Sequence, residues 1–177
     1  MRLTFSPEIK NLLDLIRSEL TEGQNLYLVG GAVRDAYLDR QINDLDFAMC
    51  LDPTRLAKKV AKRLKMGFFV LDDVRHTARV LYRTPEGELS PLDFVKFTGE
   101  NLQEDLRNRD FTIDAMAVSL KNLEQVIDPL NGQADLSKGL LRLCSEHYLL
   151  DDPVRILRGI RLVQQFNLDF DEDILAL

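Results

Sequence analysis

Two aspartates one residue apart, Asp44 and Asp46, have the side-chain type and the spacing that metal binding requires. In a β-strand residues i and i+2 point to the same face, so both carboxylates would project together while Leu45 and Phe47 point into a core. Adjacent carboxylates repel each other, and a cation stabilises their ionised forms. Two Mg²⁺ ions held about 3.5–4 Å apart catalyse phosphoryl transfer. Asp-x-Asp also occurs by chance at solvated strand ends, which is the alternative for this pair taken alone.

A pair of glycines precedes the aspartates. Gly30 stands fourteen residues before Asp44, and with Gly31 it separates a predicted strand from a predicted helix. Glycines there let the backbone approach a phosphate, and a helix N-terminus presents free N–H groups. A tight turn that needs positive φ is the structural alternative. Arg34, in the first turn of the helix, could reach phosphate or pair with Asp35 or Asp46.

A third carboxylate, Asp93, lies in a segment that alternates apolar and polar residues, 92–97. The alternation predicts a strand on which Asp93 could face the same side as the aspartate pair. A charge in an apolar strand is costly unless it is paired or binds a metal. The sequence therefore offers three carboxylates for one site.

The segment from Gly30 to Phe47, GGAVRDAYLDRQINDLDF, resembles the signature of class II nucleotidyltransferases of the polymerase-β superfamily. These are the tRNA 3′-end (CCA-adding) enzymes and the bacterial poly(A) polymerases. Three later segments agree in order. Residues 107–115 resemble the family's Arg-Arg-Asp-Phe-Thr-x-Asn-Ala, residues 128–135 match Asp-x-x-x-Gly-x-x-Asp, and residues 151–158 match Glu-Asp-x-x-Arg. The resemblance covers residues 27–166.

The resemblance implies a role for most of these residues. Asp44 and Asp46 would hold both metal ions, and Asp93 would be the third carboxylate, on the ion that activates the primer 3′-hydroxyl. By the same resemblance, Gly30 and Gly31 would cradle the triphosphate. The sugar and phosphates of the nucleotide would contact Arg109 and Asp110. A hinge between head and neck would be formed by Asp128, Gly132 and Asp135.

The resemblance also implies that Asp152 and Arg155 read the base. Residues i and i+3 share a helix face. An aspartate accepts a hydrogen bond from an exocyclic amine, and an arginine donates two parallel bonds. Cytosine and adenine both present an amine beside a ring-nitrogen acceptor, so this pair would favour CTP and ATP over UTP and GTP. A surface salt bridge is the alternative. Arg158 shares this face, where it could contact nucleotide or RNA, pair with Asp151 or support the joint to the neck.

Three departures from the family pattern stand out. Asp114 replaces the usual asparagine, and Asn108 replaces the first arginine of the Arg-Arg pair. Only sixteen residues separate Asp93 from Asp110, where the CCA-adding pattern has a longer flexible loop. A shortened segment is similar to that of enzymes that add only the two cytidines. CC-, A- and CCA-addition all stay open.

Periodicity predicts the elements that must position these residues. Helices are expected from Pro7 until Gly23, at 31–38, 53–64 and 152–166, with helical turns at 102–106 and 113–117. Strands are expected at 26–29, 44–49, 68–71, 78–83 and 89–97, with a hairpin across Lys121 and Asn122. Residues 170–177 resemble the beginning of another helix.

Together the elements and the resemblance predict an α+β fold with a mixed, largely antiparallel sheet. Residues 1–143 would form a polymerase-β-like nucleotidyltransferase head, and residues 144–177 the beginning of an all-helical neck. Since the family normally carries further helical domains, we expect the chain to be a fragment of a longer protein.

Composition narrows the cofactors and partners. The 177 residues carry a net charge of −6 and contain two cysteines and two histidines in no ligand spacing, which argues against a disulfide scaffold or a zinc site and favours Mg²⁺ on carboxylates. No signal peptide or membrane span is visible, so a cytoplasmic location is expected. The acidic total offers no general RNA-binding surface, and the basic run at 55–65 favours a solvated helix face over a tRNA surface.

The sequence thus predicts template-independent addition of CMP, AMP or both to tRNA 3′ ends, from CTP and ATP, with two Mg²⁺ ions and release of pyrophosphate. A bacterial poly(A) polymerase with the same head is the first alternative. An inactive nucleotide-binding remnant is the second.

Overall fold

A computed structural model describes residues 3–145 and 154–175 of the chain. Its main feature is a seven-stranded sheet in the order β3-β4-β5-β2-β1-β6-β7, in which only β2 and β5 run parallel. The strands are β1 (Tyr27–Val29), β2 (Leu45–Met49), β3 (Phe68–Asp72), β4 (Thr77–Arg83), β5 (Leu89–Lys96), β6 (Ala117–Ser119) and β7 (Asn122–Ile127). The predicted α+β fold with a mixed, largely antiparallel sheet is confirmed.

Helices cover both faces of this sheet. They are α1 (Pro7–Ser18), α2 (Gly31–Tyr37), α3 (Thr54–Leu64), α4 (Leu102–Arg107), a 3₁₀ turn (Thr112–Asp114), α5 (Gly132–Lys138), α6 (Val154–Phe166) and α7 (Glu172–Leu175). A short second sheet pairs β8 (Leu140–Leu141) with β9 (Asp169–Phe170) in parallel. No helix of the described residues is long and apolar enough to cross a membrane.

One face of the sheet carries the main core, against α1, α2 and α3. Helix α1 begins at Ser6, whose hydroxyl accepts the Ile9 N–H, and its apolar stripe is buried. At the centre of the core, the rings of Phe47 and Phe94 stack with their centroids 5.0 Å apart. Each large apolar side chain buried in this way contributes about 1.5–3 kcal/mol.

The opposite face carries the polar residues of β2 and β5. Since side chains alternate along a strand, the burial of Phe47 and Phe94 in the core directs Asp46 and Asp93 to the other face. Helix α4 covers part of that face through Leu102, which packs in a smaller cluster with residues of β1, β2 and β6. The uncovered part holds the aspartates.

Three segments differ from the sequence-based expectation. Residues 113–117 were expected to be helical, but the 3₁₀ turn ends at Asp114 and β6 begins at Ala117. Helix α5 was not expected, because its seven residues bury only one large apolar side chain, Leu136, and so lack a periodic stripe. At the C-terminal end, β9 precedes the short α7 where only a helix was expected.

Candidate active site

A row of residues in register crosses the sheet at the site. Phe69 pairs with Arg79, Arg79 with Asp93, Asp93 with Asp46, and Asp46 with Val29. Neighbouring strands are about 4.8 Å apart, so Asp46 and Asp93 are adjacent on one face. The sequence-predicted third carboxylate therefore lies beside the aspartate pair.

Asp44 immediately precedes β2, and together with Asp46 it lines a cavity of about 390 Å³. Gly31, at the beginning of α2, lines the same cavity. The other wall comes from α6, which contributes Arg158 and Arg161. The cavity thus has an acidic wall and a basic wall, an arrangement that suits a polyanion bound together with a metal ion.

Burial and neighbouring charges act together on Asp46. Burial, more than any other effect, raises the pKa of Asp46 to about 6. The negative charges of Asp93, Asp44 and Asp114 raise it further, and the Arg109 guanidinium opposes them. A carboxylate that resists ionisation in this way gains from a cation placed beside it.

The donor set suits Mg²⁺, because carboxylate oxygens are the ligands that this hard ion prefers. However, among the described residues no three Asp, Glu, His or Cys side chains are grouped closely enough to share an ion. Asp93 is engaged elsewhere, since Arg79 donates to both of its oxygens, Nε to Oδ1 and Nη2 to Oδ2, each at 2.7 Å. The three carboxylates are therefore suitable ligands for Mg²⁺ by their chemistry, but Asp93 is already paired with Arg79.

Gly30 brings the main chain against the carboxylates. Its φ of +71° lies in the left-handed region, which glycine adopts without strain. A Cβ at this position would also lie 3.0 Å from Arg109 Nη1 and 3.7 Å from Asp46 Oδ2. Positive φ and close approach both require glycine here. Gly30 therefore forms the tight turn that was the alternative interpretation, and it also lies beside Asp46.

Arg34 is buried and joins α2 to its surroundings. Its guanidinium donates to Asp35 at 3.0 Å and to Asp114, and it lies 4.2 Å above the ring of Phe166 in α6. The unusual carboxylate at position 114 is thus the ion-pair partner of Arg34. Burial raises the pKa of Asp114, and the Arg34 charge opposes that rise. The nucleotide contact expected of Arg34 stays a prediction.

Arg109 and Asp110 point to different partners. Arg109 donates to Asp105 at 3.2 Å and lines a second cavity, of about 690 Å³. Asp110 forms ion pairs with two arginines of α6, at 3.3 Å to Arg155 and 2.6 Å to Arg158. Asp110 therefore pairs with α6, and the role of Arg158 at the joint to the neck stays a prediction.

The base-reading pair is only half visible. Asp152 lies outside the described residues, as does Asp151. Arg155 is described, and it forms an ion pair with Asp110. The assignment of Asp152 and Arg155 to base selection stays a prediction.

The expected hinge residues hold the segment that follows Asp110. Asp128 caps α5 by accepting the Gly132 and Gln133 N–H groups at 2.8 and 2.9 Å. A Cβ on Gly132 would lie 2.2 Å from the carbonyl oxygen of Thr112. Asp135, which is buried, accepts the Thr112 hydroxyl at 2.7 Å. These contacts fix the 3₁₀ turn against α5, and hinge motion stays a prediction.

Arg79 and Phe166 were missed by the sequence analysis. Arg79 had a signal, because residues equidistant from Glu86 face each other in the β4–β5 hairpin, which places Arg79 opposite Asp93. Phe166 is the last residue of α6, and its ring supports both Arg34 and Arg40. Nothing in the local pattern distinguishes that ring from an ordinary core aromatic.

The basic run occupies the exposed side of α3. Its six basic residues, Arg55, Lys58, Lys59, Lys62, Arg63 and Lys65, are all exposed. Helix α3 packs on the face of the sheet opposite to the carboxylates. This placement favours the solvated helix face over a primer-binding surface.

Comparisons with known proteins agree with this geometry. The family described as Poly A polymerase head domain matches residues 26–142. The chain is 39% identical over 148 residues to a CC-adding tRNA nucleotidyltransferase of Synechocystis sp., covering 82% of this chain and 34% of that one. It is 39% identical over 155 residues to a protein of the same name from Geobacter sulfurreducens, covering 88% of this chain and 35% of that one.

Solved structures match over the same region. The CCA-adding enzyme of Thermotoga maritima in complex with tRNA superimposes with a TM-score of 0.84 at 32% identity, covering 95% of this chain and 40% of that one. Further matches are named CCA-adding and A-adding enzymes, and two of the matching structures hold CTP and an ATP analogue. The chain spans about a third of the length of the two curated relatives described above.

Proposed function

Because the chain belongs to the poly(A) polymerase head-domain family, we propose that it is the catalytic head of a tRNA nucleotidyltransferase. It would transfer CMP, AMP or both from CTP or ATP to the 3′-hydroxyl of a tRNA, without a nucleic-acid template. Residues 1–143 would form the head, residues 144–177 would begin a helical neck, and the protein would act in the cytoplasm. The names of the relatives, which include CC-, CCA- and A-adding enzymes, support this substrate class.

One observation carries the proposal: Asp44 and Asp46 share a cavity of about 390 Å³ with Arg158 and Arg161. A nucleoside triphosphate is a polyanion that needs cations, and paired carboxylates need a metal ion. A cavity that supplies both charges can hold a metal–nucleotide complex between its walls. Neither wall alone would distinguish such a site from an ordinary charged surface.

The residues divide the work as follows. Asp44, Asp46 and Asp93 would hold two Mg²⁺ ions, whose chemistry is to stabilise the charge on the attacking and leaving oxygens. The glycine turn at Gly30 and Gly31 would let the triphosphate approach the main chain. No covalent intermediate on the protein is needed, since positioning and charge stabilisation suffice for phosphoryl transfer.

Nucleotide choice would rest on Arg155 of α6 and on Asp152, two residues before α6 in the chain. We assign base selection to Asp152 and Arg155, and we place Arg109 and Asp110 at the sugar and phosphates. Arg158 bridges Asp110 and the cavity, so it would contact the bound nucleotide from the neck side. Arg34, which the neighbouring carboxylates already engage, would act mainly by supporting the floor of the cavity.

Calorimetric binding of CTP, ATP, UTP and GTP to this chain in the presence of Mg²⁺ tests the proposal. We expect CTP or ATP to bind better than UTP and GTP, and Asp152→Ala to weaken that preference. Asp14→Ala, on the exposed side of α1, is the matched control and should keep it. Equal binding of all four nucleotides, or none, would contradict the proposal.

Transfer products separate the alternatives. With tRNAs that lack either the whole 3′ CCA or only its terminal A, and with labelled CTP and ATP, a tRNA nucleotidyltransferase stops after at most three additions. A poly(A) polymerase extends RNA with ATP well beyond that length. A nucleotide-binding remnant binds nucleotide but yields no product, with or without Mg²⁺.

A further inference from the structure

Arg79 contacts one of the three proposed metal-binding carboxylates, and the proposed reaction assigns it no role. It lies on β4, directly opposite Asp93 of β5 in the antiparallel register. Its guanidinium forms a bidentate fork with the Asp93 carboxylate, in which both N···O distances are 2.7 Å. Such forks are the strongest and most directional ion pairs that proteins form.

The fork limits what Asp93 can offer to a metal ion. A carboxylate has about four lone pairs, two on each oxygen. Two parallel N–H bonds occupy one lone pair on each oxygen, so an ion must use the remaining directions or replace the arginine.

The surroundings of the Arg79–Asp93 pair permit a metal ion to replace Arg79 at Asp93. The Arg79 side chain is 38% exposed, whereas Asp93 is 19% exposed. The arginine can therefore swing into water, while the aspartate stays at the site beside Asp46. The guanidinium also lies in the field of Asp46 and Asp44, which hold it near the carboxylates. Arg79 and a divalent cation would thus compete for the same negative charge, that of the Asp93 carboxylate.

We propose that Arg79 is a built-in competitor of the metal ion at Asp93, which neutralises the third carboxylate in the metal-free protein and is displaced when the ion binds. The proposal rests on the metal site of the proposed function and adds to it a residue that sets the affinity. The Arg79 cation weakens metal binding, whereas a residue that only braced Asp93 would strengthen it.

A Mn²⁺ titration of this chain followed by electron paramagnetic resonance tests the proposal. We expect Arg79→Met to bind Mn²⁺ about tenfold more tightly than the wild type. That factor corresponds to removing the repulsion between a unit charge and a divalent ion about 6 Å apart at the dielectric constant of water. Arg79→Lys keeps the charge but loses the fork, so its gain should be smaller, about twofold to threefold.

Arg83→Met is the matched control. Arg83 lies on the same face of β4, four residues further along, and its guanidinium donates to the Gly87 carbonyl in the hairpin turn. This variant should bind Mn²⁺ as the wild type does. A second readout is thermal unfolding, in which added Mn²⁺ should raise the Tm of Arg79→Met by more than that of the wild type.

The outcomes separate the two proposals. Unchanged or weaker Mn²⁺ binding by Arg79→Met, with wild-type binding intact, overturns the competitor role and leaves the metal site standing. If Arg79→Met fails to fold, Arg79→Lys decides in the same way, since any gain in affinity supports the competitor role and none refutes it. No Mn²⁺ binding by any variant, or binding that Asp46→Asn does not affect, overturns the metal site and with it the role of Arg79.

Discussion

Replacing Gly132 by alanine would test how closely α5 must approach the 3₁₀ turn at Thr112–Asp114. A Cβ there would lie 2.2 Å from the Thr112 carbonyl oxygen, 2.9 Å from the Thr112 carbonyl carbon and 3.3 Å from the Ile113 Cα. All three are main-chain atoms, so no side-chain rotation can relieve the contact. Helix α5 and the 3₁₀ turn would have to separate by about 1 Å to restore an ordinary van der Waals distance.

The magnitude follows from this displacement. Overpacking a tight core typically costs about 1–3 kcal/mol, and a clash with the main chain belongs at the upper end, about 3 kcal/mol. In a chain of 177 residues that corresponds to a fall in Tm of roughly 6–12 °C. Asp110 lies two residues before the displaced 3₁₀ turn, so we also expect CTP or ATP to bind about tenfold more weakly, which corresponds to about 1.4 kcal/mol.

Gly139→Ala is the control for this experiment. Gly139 ends the same helix with φ +69° and has nothing within 4 Å of its Cβ position, so alanine there meets only backbone strain of about 1 kcal/mol. Urea unfolding and calorimetric nucleotide binding would be measured for both variants. Gly132→Ala should lose more stability and more affinity than Gly139→Ala. Equal losses in the two variants would show that the close approach to Thr112 has no special role.

Two further perturbations probe the charge and the joint of the site. Asp46→Asn, measured in EDTA, should be more stable to urea than the wild type at pH 7, by about 2–3 kcal/mol. Burial and the Asp93 charge raise the folded-state pKa of Asp46 from 3.8 to about 6, so the wild type loses stability as pH rises from about 4 to 6, and the two proteins should be equally stable below pH 4. Phe166→Leu should lower the free energy of unfolding by about 1 kcal/mol, because the ring supports both Arg34 and Arg40; an unchanged urea midpoint would count against that support.

The common face of Asp46 and Asp93 could be predicted from the sequence, because strand alternation is a local rule. Asp46 and Asp93 each lie between apolar neighbours, so their common face follows from the pattern once both strands are assigned. The parallel pairing of β2 with β5 could not be derived in this way, since β3 and β4 intervene in the chain and pairing depends on the whole sheet. The expectation that Asp93 joins Asp44 and Asp46 as the third carboxylate came from the family resemblance rather than from periodicity.

The contacts between segments that are distant in the chain could not be predicted from the sequence. Helix α5 has one large buried apolar side chain, and its position depends on Gly132 and Asp135 meeting Thr112 rather than on a hydrophobic stripe. Arg158 could pair with Asp151 or support the joint, and only the fold shows that Asp110 lies within reach. Such partners are set by tertiary packing, which overrides local spacing.

The arginines of the site explain how an acidic chain could accept polyanionic substrates. Arg79 is paired with Asp93, and Arg158 with Asp110, while the side chains of both arginines are at least 38% exposed. Removing one partner of a buried ion pair leaves an uncompensated charge, which is costly. In the proposed scheme a metal ion replaces Arg79 at Asp93 and a phosphate replaces Asp110 at Arg158, so Asp93 and Arg158 each exchange one counter-ion for another. We therefore expect salt to weaken substrate binding through these two pairs. Neutralising the basic residues of α3, which lie across the sheet, should leave substrate binding unchanged.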